Sequence, residues 1–135
     1  MRTEALASEP GGHSAVDSST VIAYVQGNSG GDVDAFDAAL GGNIVLPPVV
    51  LAEILSDPKL PPDHRRLLLN FPLLGILEGY WERTAKARSM LIAKKLRARL
   101  GDALIAQACI DHDVALITRD KDFRHFAKHC GLRLA

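Results

Sequence analysis

The chain has 135 residues, 47% of them apolar, 24% charged and only 5% aromatic. That is enough for one domain with its own core, built from Leu, Ile, Val and Ala. Formal net charge is zero, and no apolar run approaches the ~20 residues that a membrane helix needs, so no membrane association is expected.

The first dozen residues, with GG at 11–12, read as a flexible tail over 1–12 ahead of a single domain over 13–135. The opening MRTEALASEPGGHSA lacks the apolar stretch of a secretory signal and carries Glu4 and Glu9, which predicts a cytoplasmic protein. His13–Val16 leads as a first strand into Asp17, and Ser18 and Ser19 offer N-caps for a helix through TVIAYVQ. GNSGG at 27–31 breaks the chain before a short helix DVDAFDAAL, with Val33, Phe36 and Leu40 on one face. GGN at 41–43 breaks it again, and IVLP reads as a short buried strand. Pro47 and Pro48 suit the first turn of a helix VVLAEILSD that ends before Pro58.

DHRRLLLNF reads as a further helix and PLLGIL as another strand-like run. From Tyr80 to Arg99 the spacing predicts one long amphipathic helix, with Trp81, Ala85, Met90, Ile92 and Leu96 among bases. A second helix is expected from Asp102 to about His112, then VALIT as a strand. KDFRHFAKHCG closes as a helix with Gly131 as its C′ residue, and LRLA reads as a last strand. Strands alternating with helices indicate an α/β domain with a mostly parallel sheet, whose ligand crevice lies beyond the carboxyl ends of the strands.

Charge is unevenly spread. Residues 1–57 hold eight acids and one base, residues 58–135 fifteen bases and eight acids, so the halves stand at −7 and +7. The densest basic stretch, Arg83–Arg99, contains Arg83, Lys86, Arg88, Lys94, Lys95, Arg97 and Arg99 and no acid. A solvated helix face explains such a run, and so does a surface that meets a polyanion.

Five acids stand at the ends of apolar elements or, for Glu53, within one. Asp17 and Asp102 suit helix starts, where the dipole favours a negative charge. Glu53 lies among Val50, Leu51, Ile54 and Leu55, where an unpaired carboxylate is costly and a structural Arg partner is the plain alternative. Asp120 and Asp122 follow VALIT, in a loop where acids are ordinarily solvated or cap the next helix. Asp17, Glu53, Asp102 and Asp120 converging in one crevice would repel each other, so the set makes sense around a cation. Carboxylates without cysteine point to a hard ion, Mg²⁺ or Mn²⁺.

The segments AVDSSTVIAYV, VVLAEIL and RLGDALIAQACIDHDVALITRDKDF together resemble a PIN-domain ribonuclease, nearest in kind to the VapC-type toxins of prokaryotic toxin–antitoxin pairs. The resemblance covers roughly residues 14–135 and implies a PIN-like three-layer α/β/α domain with a mostly parallel central sheet. It implies Asp17, Glu53, Asp102 and Asp120 as the catalytic acids. Asp17, Asp102 and Asp120 would hold the metal, with Asp122 as the alternative for the last, and Thr118 would stand near it. It further implies an endoribonuclease leaving 5′-phosphates, a small antitoxin that covers the acidic crevice and commonly presents an Arg to it, and a homodimer. Two features depart from the family pattern: the longer tail before Asp17, and the extra acids Asp32, Asp34 and Asp37, which read as the solvated face of a short helix.

On this reading Lys94, Lys95, Arg97 and Arg99 bind the RNA backbone, with Arg119 and Lys121 nearer the cut. Glu53 binds a second ion or orients the attacking water. A non-catalytic PIN-fold module that binds RNA or protein is the alternative. A haloacid-dehalogenase-like phosphotransferase needs a second Asp two residues after the first, where this chain has Ser19. His125 and His129 are spaced i, i+4 but lack a third zinc ligand. Cys109 and Cys130 have no CxxC spacing, and Cys109 reads as a core residue. Ser18 and Ser19 lie outside any GxSxG context. Tyr80 and Trp81 read as core anchors of an amphipathic helix more readily than as stacking platforms for bases.

Overall fold

A computed structural model of the chain describes residues 4–5, as backbone, and 12–135. Its elements in chain order are β1 (Glu4–Ala5), β2 (Ser14–Val16), α1 (Ser18–Val25), α2 (Gly31–Ala39), β3 (Ile44–Val45) and α3 (Pro48–Leu55). They continue with α4 (Pro62–Asn70), β4 (Leu73–Leu74), α5 (Tyr80–Ala93), α6 (Leu100–Asp111), β5 (Ala115–Ile117) and α7 (Phe123–Cys130). Apart from Glu4–Ala5, whose backbone pairs with Leu73–Leu74, the expected tail over 1–12 falls almost wholly outside the described residues.

Among the described residues every strand pairing is parallel. β2 is central, with Ala15 opposite Val45 of β3 on one side and Leu116 of β5 on the other. A bridge from Leu46 to Leu73 joins β4 to the β3 side, and Leu116 pairs with Leu134 at the far edge, where LRLA was expected to form a strand. The strands run β1, β4, β3, β2, β5 across the sheet, and helices on both faces complete the three-layer α/β/α arrangement. Covered on both faces, β2, β3 and β5 are short apolar runs rather than alternating ones. α5, α6 and α7 pack on one another, α1 packs on α2 and α3, and α3 reaches the start of the chain's other helical group through α6.

The core is aliphatic, as composition dictates, with Phe36, Phe123 and Phe126 as its large fully buried side chains. Burying each contributes about 1.5–3 kcal/mol. Cys109 is fully buried among them, and burial pushes its thiol pKa up, which makes it inert. Both cysteines are free.

The long helix expected over Tyr80–Arg99 ends at Ala93. Lys95 takes a left-handed conformation (φ 60°), its N–H donates to Ile92 O at 2.8 Å, and Leu96 N–H donates to Leu91 O at 3.0 Å. This is a Schellman stop formed without glycine. It turns residues 96–99 into a separate segment running to α6. The buried face of α5 is also rotated from the expected one. Tyr80, Thr84, Ala87 and Leu91 face the core, while Trp81 is 61% exposed and Met90 and Ile92 lie at the surface. Tyr80 is the anchor, its hydroxyl donating to Leu104 O at 2.6 Å; Trp81 only packs edge-on against the Tyr80 ring.

The basic run is partly structural. Arg83 grips Asp111 with Nε and Nη2, at 2.8 and 2.7 Å, and Arg88 Nε donates to Ala98 O at 2.8 Å.

Candidate active site

β2 and β5 are neighbours, but the chain leaves β2 for β3 and β4 on one side and then crosses back to enter β5 on the other. Their carboxyl ends therefore form a topological switch point, where a crevice opens in parallel α/β sheets. Asp17 follows β2 and Thr118–Asp122 follow β5 at that point.

Asp17 is the N-cap residue of α1 in extended conformation, and its N–H donates to Ile117 O at 3.0 Å, tying the two strand ends together. It is 4% exposed. The serines expected to cap α1 serve carboxylates instead, because Asp17 already holds the cap position: Ser19 Oγ donates to Asp17 Oδ2 at 2.6 Å and Ser18 Oγ to Glu53 Oε1 at 2.7 Å. Thr118 Oγ1 donates to Asp17 Oδ2 at 2.8 Å and accepts the Asp120 N–H at 3.0 Å. The Asp122 N–H in turn donates to Asp120 Oδ1 at 2.9 Å. One hydroxyl thus sets the spacing of Asp17 and Asp120.

Asp102 lies in the first turn of α6, which starts after Arg99, so it is not the N-cap; the helix dipole still favours its charge. Carboxylate oxygens of Asp102, Asp120 and Asp122 all lie within 4.8 Å of one another. Asp102 Oδ2 is buried with no hydrogen-bond partner. Burial raises the Asp102 pKa to about 6, with Asp120 and Asp17 adding to the rise, Arg99 opposing it and Asp122 adding again.

Glu53 is exposed on α3, contrary to the reading that placed it in an apolar interior, because α3 buries only Val50 and Ile54. It faces the site through its bond to Ser18, and a Cβ at Gly101 would lie 3.9 Å from Glu53 Oε2, so its carboxylate rests against the start of α6.

The donor set is all oxygen, one member has an unsatisfied buried lone pair, and the charges repel. These residues fit a hard divalent cation, which would satisfy the orphaned oxygen and relieve the repulsion.

Of the predicted nucleic-acid cations, Arg97 Nε stands 3.5 Å from Asp122 Oδ2, and Arg99 is close enough to Asp102 to offset part of its shift. Lys121 is exposed beside Asp120. Lys94 and Lys95 are exposed at the end of α5, beside α7, where Lys94 acts on His129. Arg119 is not free. Its Nε and Nη2 donate to Asp32 at 2.8 and 3.0 Å, and Nη2 also to Ser29 O at 3.0 Å. Asp32 is accordingly no solvated acid, although Asp34 and Asp37 are exposed. The partners lie 87 residues apart in sequence, so no local spacing signals the pair. His125 and His129 join no metal-ligand cluster among the described residues.

The sequence model of the PIN domain matches residues 15–129. The chain belongs to the PIN domain family. Solved PIN-fold relatives resemble it over nearly their whole length. A chain in the crystal structure of VapBC2 from Rickettsia felis, bound to a DNA fragment from the promoter, superposes with a TM-score of 0.69 at 18% identity, covering 90% of this chain and 96% of that one. A chain of VapBC-5, a VapBC-family toxin–antitoxin system from Mycobacterium tuberculosis, gives 0.65 at 20% identity, covering 91% and 97%. FitAcB from Neisseria gonorrhoeae gives 0.62 at 18% identity, covering 89% and 94%. At such identities the likeness is one of fold. No curated protein sequence matches the chain.

Proposed function

We propose that this PIN domain is a divalent-metal-dependent endoribonuclease and the toxin of a VapC-type toxin–antitoxin pair. The observation that carries the reading is the starved acid cluster: Asp102, Asp120 and Asp122 within 4.8 Å, an orphaned buried Asp102 Oδ2, and Asp17 beside them at the switch point. Asp17, Asp102 and Asp120 hold the ion, with Asp122 as the alternative to Asp120, and Mg²⁺ or Mn²⁺ suits the all-oxygen donor set. Bound there, such an ion supplies positive charge to a phosphoryl oxygen and lowers the pKa of water.

The chain's own groups prepare that chemistry. Ser19 and Thr118 fix Asp17 by donating to its Oδ2, and Thr118 sets the Asp120 backbone. Ser18 orients Glu53, whose exposed carboxylate accepts a proton from, or aligns, the attacking water. Arg97, Arg99, Lys94, Lys95 and Lys121 supply the positive surface for the RNA backbone.

Two of the similar chains come from VapBC assemblies, one of them named as a toxin–antitoxin system, and by that likeness the partner of this chain is a small antitoxin. An apolar groove between α1 and α3, lined by Val21, Ile22, Val25, Ile54 and Leu60 and ending at Glu53, offers such a protein a seat beside the acids. Exposed Ile76, Leu77 and Trp81 give apolar surface for a homodimer. No helix among the described residues is long and apolar enough to cross a membrane, and the proposed site of action is the cytoplasm.

The test is cleavage of labelled structured RNA with Mg²⁺, Mn²⁺ or EDTA, for wild type and Asp102→Asn. Metal-dependent cutting that the substitution abolishes supports the proposal. A folded protein that cuts no RNA pool under any metal overturns it in favour of a non-catalytic module.

A further inference from the structure

We propose that Asp32 is a positioning residue for the acid cluster, holding the strand end that carries Asp17 and the strand end that carries Asp120 at a fixed separation. The inference rests on the nuclease reading for its consequence, but not for its geometry.

Asp32 sits in the first turn of α2 with its side chain only 10% exposed. On one side it accepts Thr20 Oγ1 at 2.8 Å. Thr20 is fully buried in α1, three residues after Asp17. On the other side Asp32 takes both prongs of Arg119, the residue between Thr118 and Asp120. One carboxylate therefore clasps both segments that leave the switch point. The fork geometry of a bidentate Arg–carboxylate pair makes the clasp directional as well as strong. Arg119 Nη2 adds a bond to Ser29 O at 3.0 Å, so three acceptors define the guanidinium plane.

The backbone is shaped around this clasp. Gly30 has φ 153°, and a Cβ there would stand 2.6 Å from Asp32 Oδ1 and 2.9 Å from Arg119 Nη2. Only glycine both takes that conformation readily and leaves room for the pair to close. The Arg119 hydrogen bond holds the Asp32 carboxyl below its ordinary range, with Thr20 and the Val33 amide acting in the same direction against burial. Asp32 is thus charged and saturated beside a cluster that is charged and unsatisfied. Arg119, expected from sequence to meet RNA, serves as the bolt of the site loop.

A merely structural pair would alter stability and nothing else. The positioning role is read in Asp32→Asn by two measurements on the full chain. The first is amide hydrogen exchange over residues 118–122; the second is Mn²⁺ affinity by electron paramagnetic resonance. Exchange is expected to quicken at Asp120 and Asp122, and Mn²⁺ affinity to fall about 10-fold, in the range for groups that orient metal ligands. The reversed pair Asp32→Arg with Arg119→Asp is expected to regain part of both. Unchanged exchange, or a lowered melting temperature with unchanged Mn²⁺ affinity, overturns the proposal. Should Asp32→Asn not fold, Arg119→Lys keeps the charge, loses the fork and is read the same way. If the wild type binds no Mn²⁺, the nuclease reading fails, and the exchange measurement still decides whether the clasp sets the loop.

Discussion

Asp32 and Asp102 occupy similar positions with opposite environments. Both are partly buried acids in the first turn of a helix, and both lie near the carboxyl ends of β2 and β5. Asp32 receives Thr20 and two prongs of Arg119, and its pKa is lowered. Asp102 has an oxygen with no partner, three acids acting on it, and a pKa raised to about 6. A carboxylate that the chain has satisfied contributes to the fold. One left unsatisfied among like charges costs stability and persists for what it binds. Asp111, held by Arg83 and by Gln107 Nε2 at 2.8 Å, belongs with Asp32.

The largest effect that would sharpen this contrast separates Asp120 from Asp122. Asp120→Asn is expected to lower metal-dependent cleavage by at least about 100-fold, the upper end of what losing a supporting group of a metal site costs. Asp122→Asn is expected to cost less, because Asp122 is shared with Arg97 and precedes α7. Equal losses in single-turnover cleavage would make both of them ligands.

Next comes pH. The Asp102 pKa lies at about 6 in the fold against an ordinary 3.8, so between those values the metal-free fold keeps a proton that the unfolded chain has released. Metal-free stability therefore falls as pH rises through that window and is flat above it. A cation must displace that proton, so Mn²⁺ affinity is expected to drop by up to about tenfold per pH unit below the raised pKa. Calorimetric Mn²⁺ titration and metal-free thermal melting across about pH 5–7, roughly one unit on either side of the raised pKa, check the two expectations; affinity that ignores pH would remove Asp102 from the site.

Asp111→Asn should behave as the satisfied class does. It loses a charge-assisted fork and is expected to lower the melting temperature while leaving Mn²⁺ affinity unchanged. The smallest effect is at the surface. Replacing Lys94 and Lys95 by Ala should weaken RNA binding alike for all sequences and reduce the salt slope by about 1.4, the value for two phosphate contacts on a single strand. An unchanged slope would move the RNA path to Arg97, Arg99 and Lys121.

Much of this was legible in the chain. VALIT followed by acids, the Pro47–Pro48 helix start, the DALIA helix and Gly131 as a C′ residue all appear in the structure, because each rests on a local rule of burial or backbone geometry. The family pattern pointed to Asp17, Asp102, Asp120 and Asp122, and the fold brings these acids to one switch point. What escaped the sequence depended on contacts across the chain. The Schellman stop at Lys95 carries no glycine to announce it. The exposure of Glu53 depends on how α3 turns toward its neighbours, and the rotated face of α5 leaves Trp81 outside. The link of Asp32 to Arg119 exists only once β5 lies beside β2.

The most direct test of the central claim compares wild type and Asp102→Asn by thermal melting at neutral pH, each with and without Mn²⁺. If the cluster is an unsatisfied cation site, metal-free Asp102→Asn melts higher than metal-free wild type, since a repelled buried charge is gone. Mn²⁺ then raises the wild type and leaves the variant almost unmoved. A variant that melts lower without metal, and that Mn²⁺ still stabilises as much as the wild type, would show that Asp102 is satisfied within the fold and that the cation site lies elsewhere.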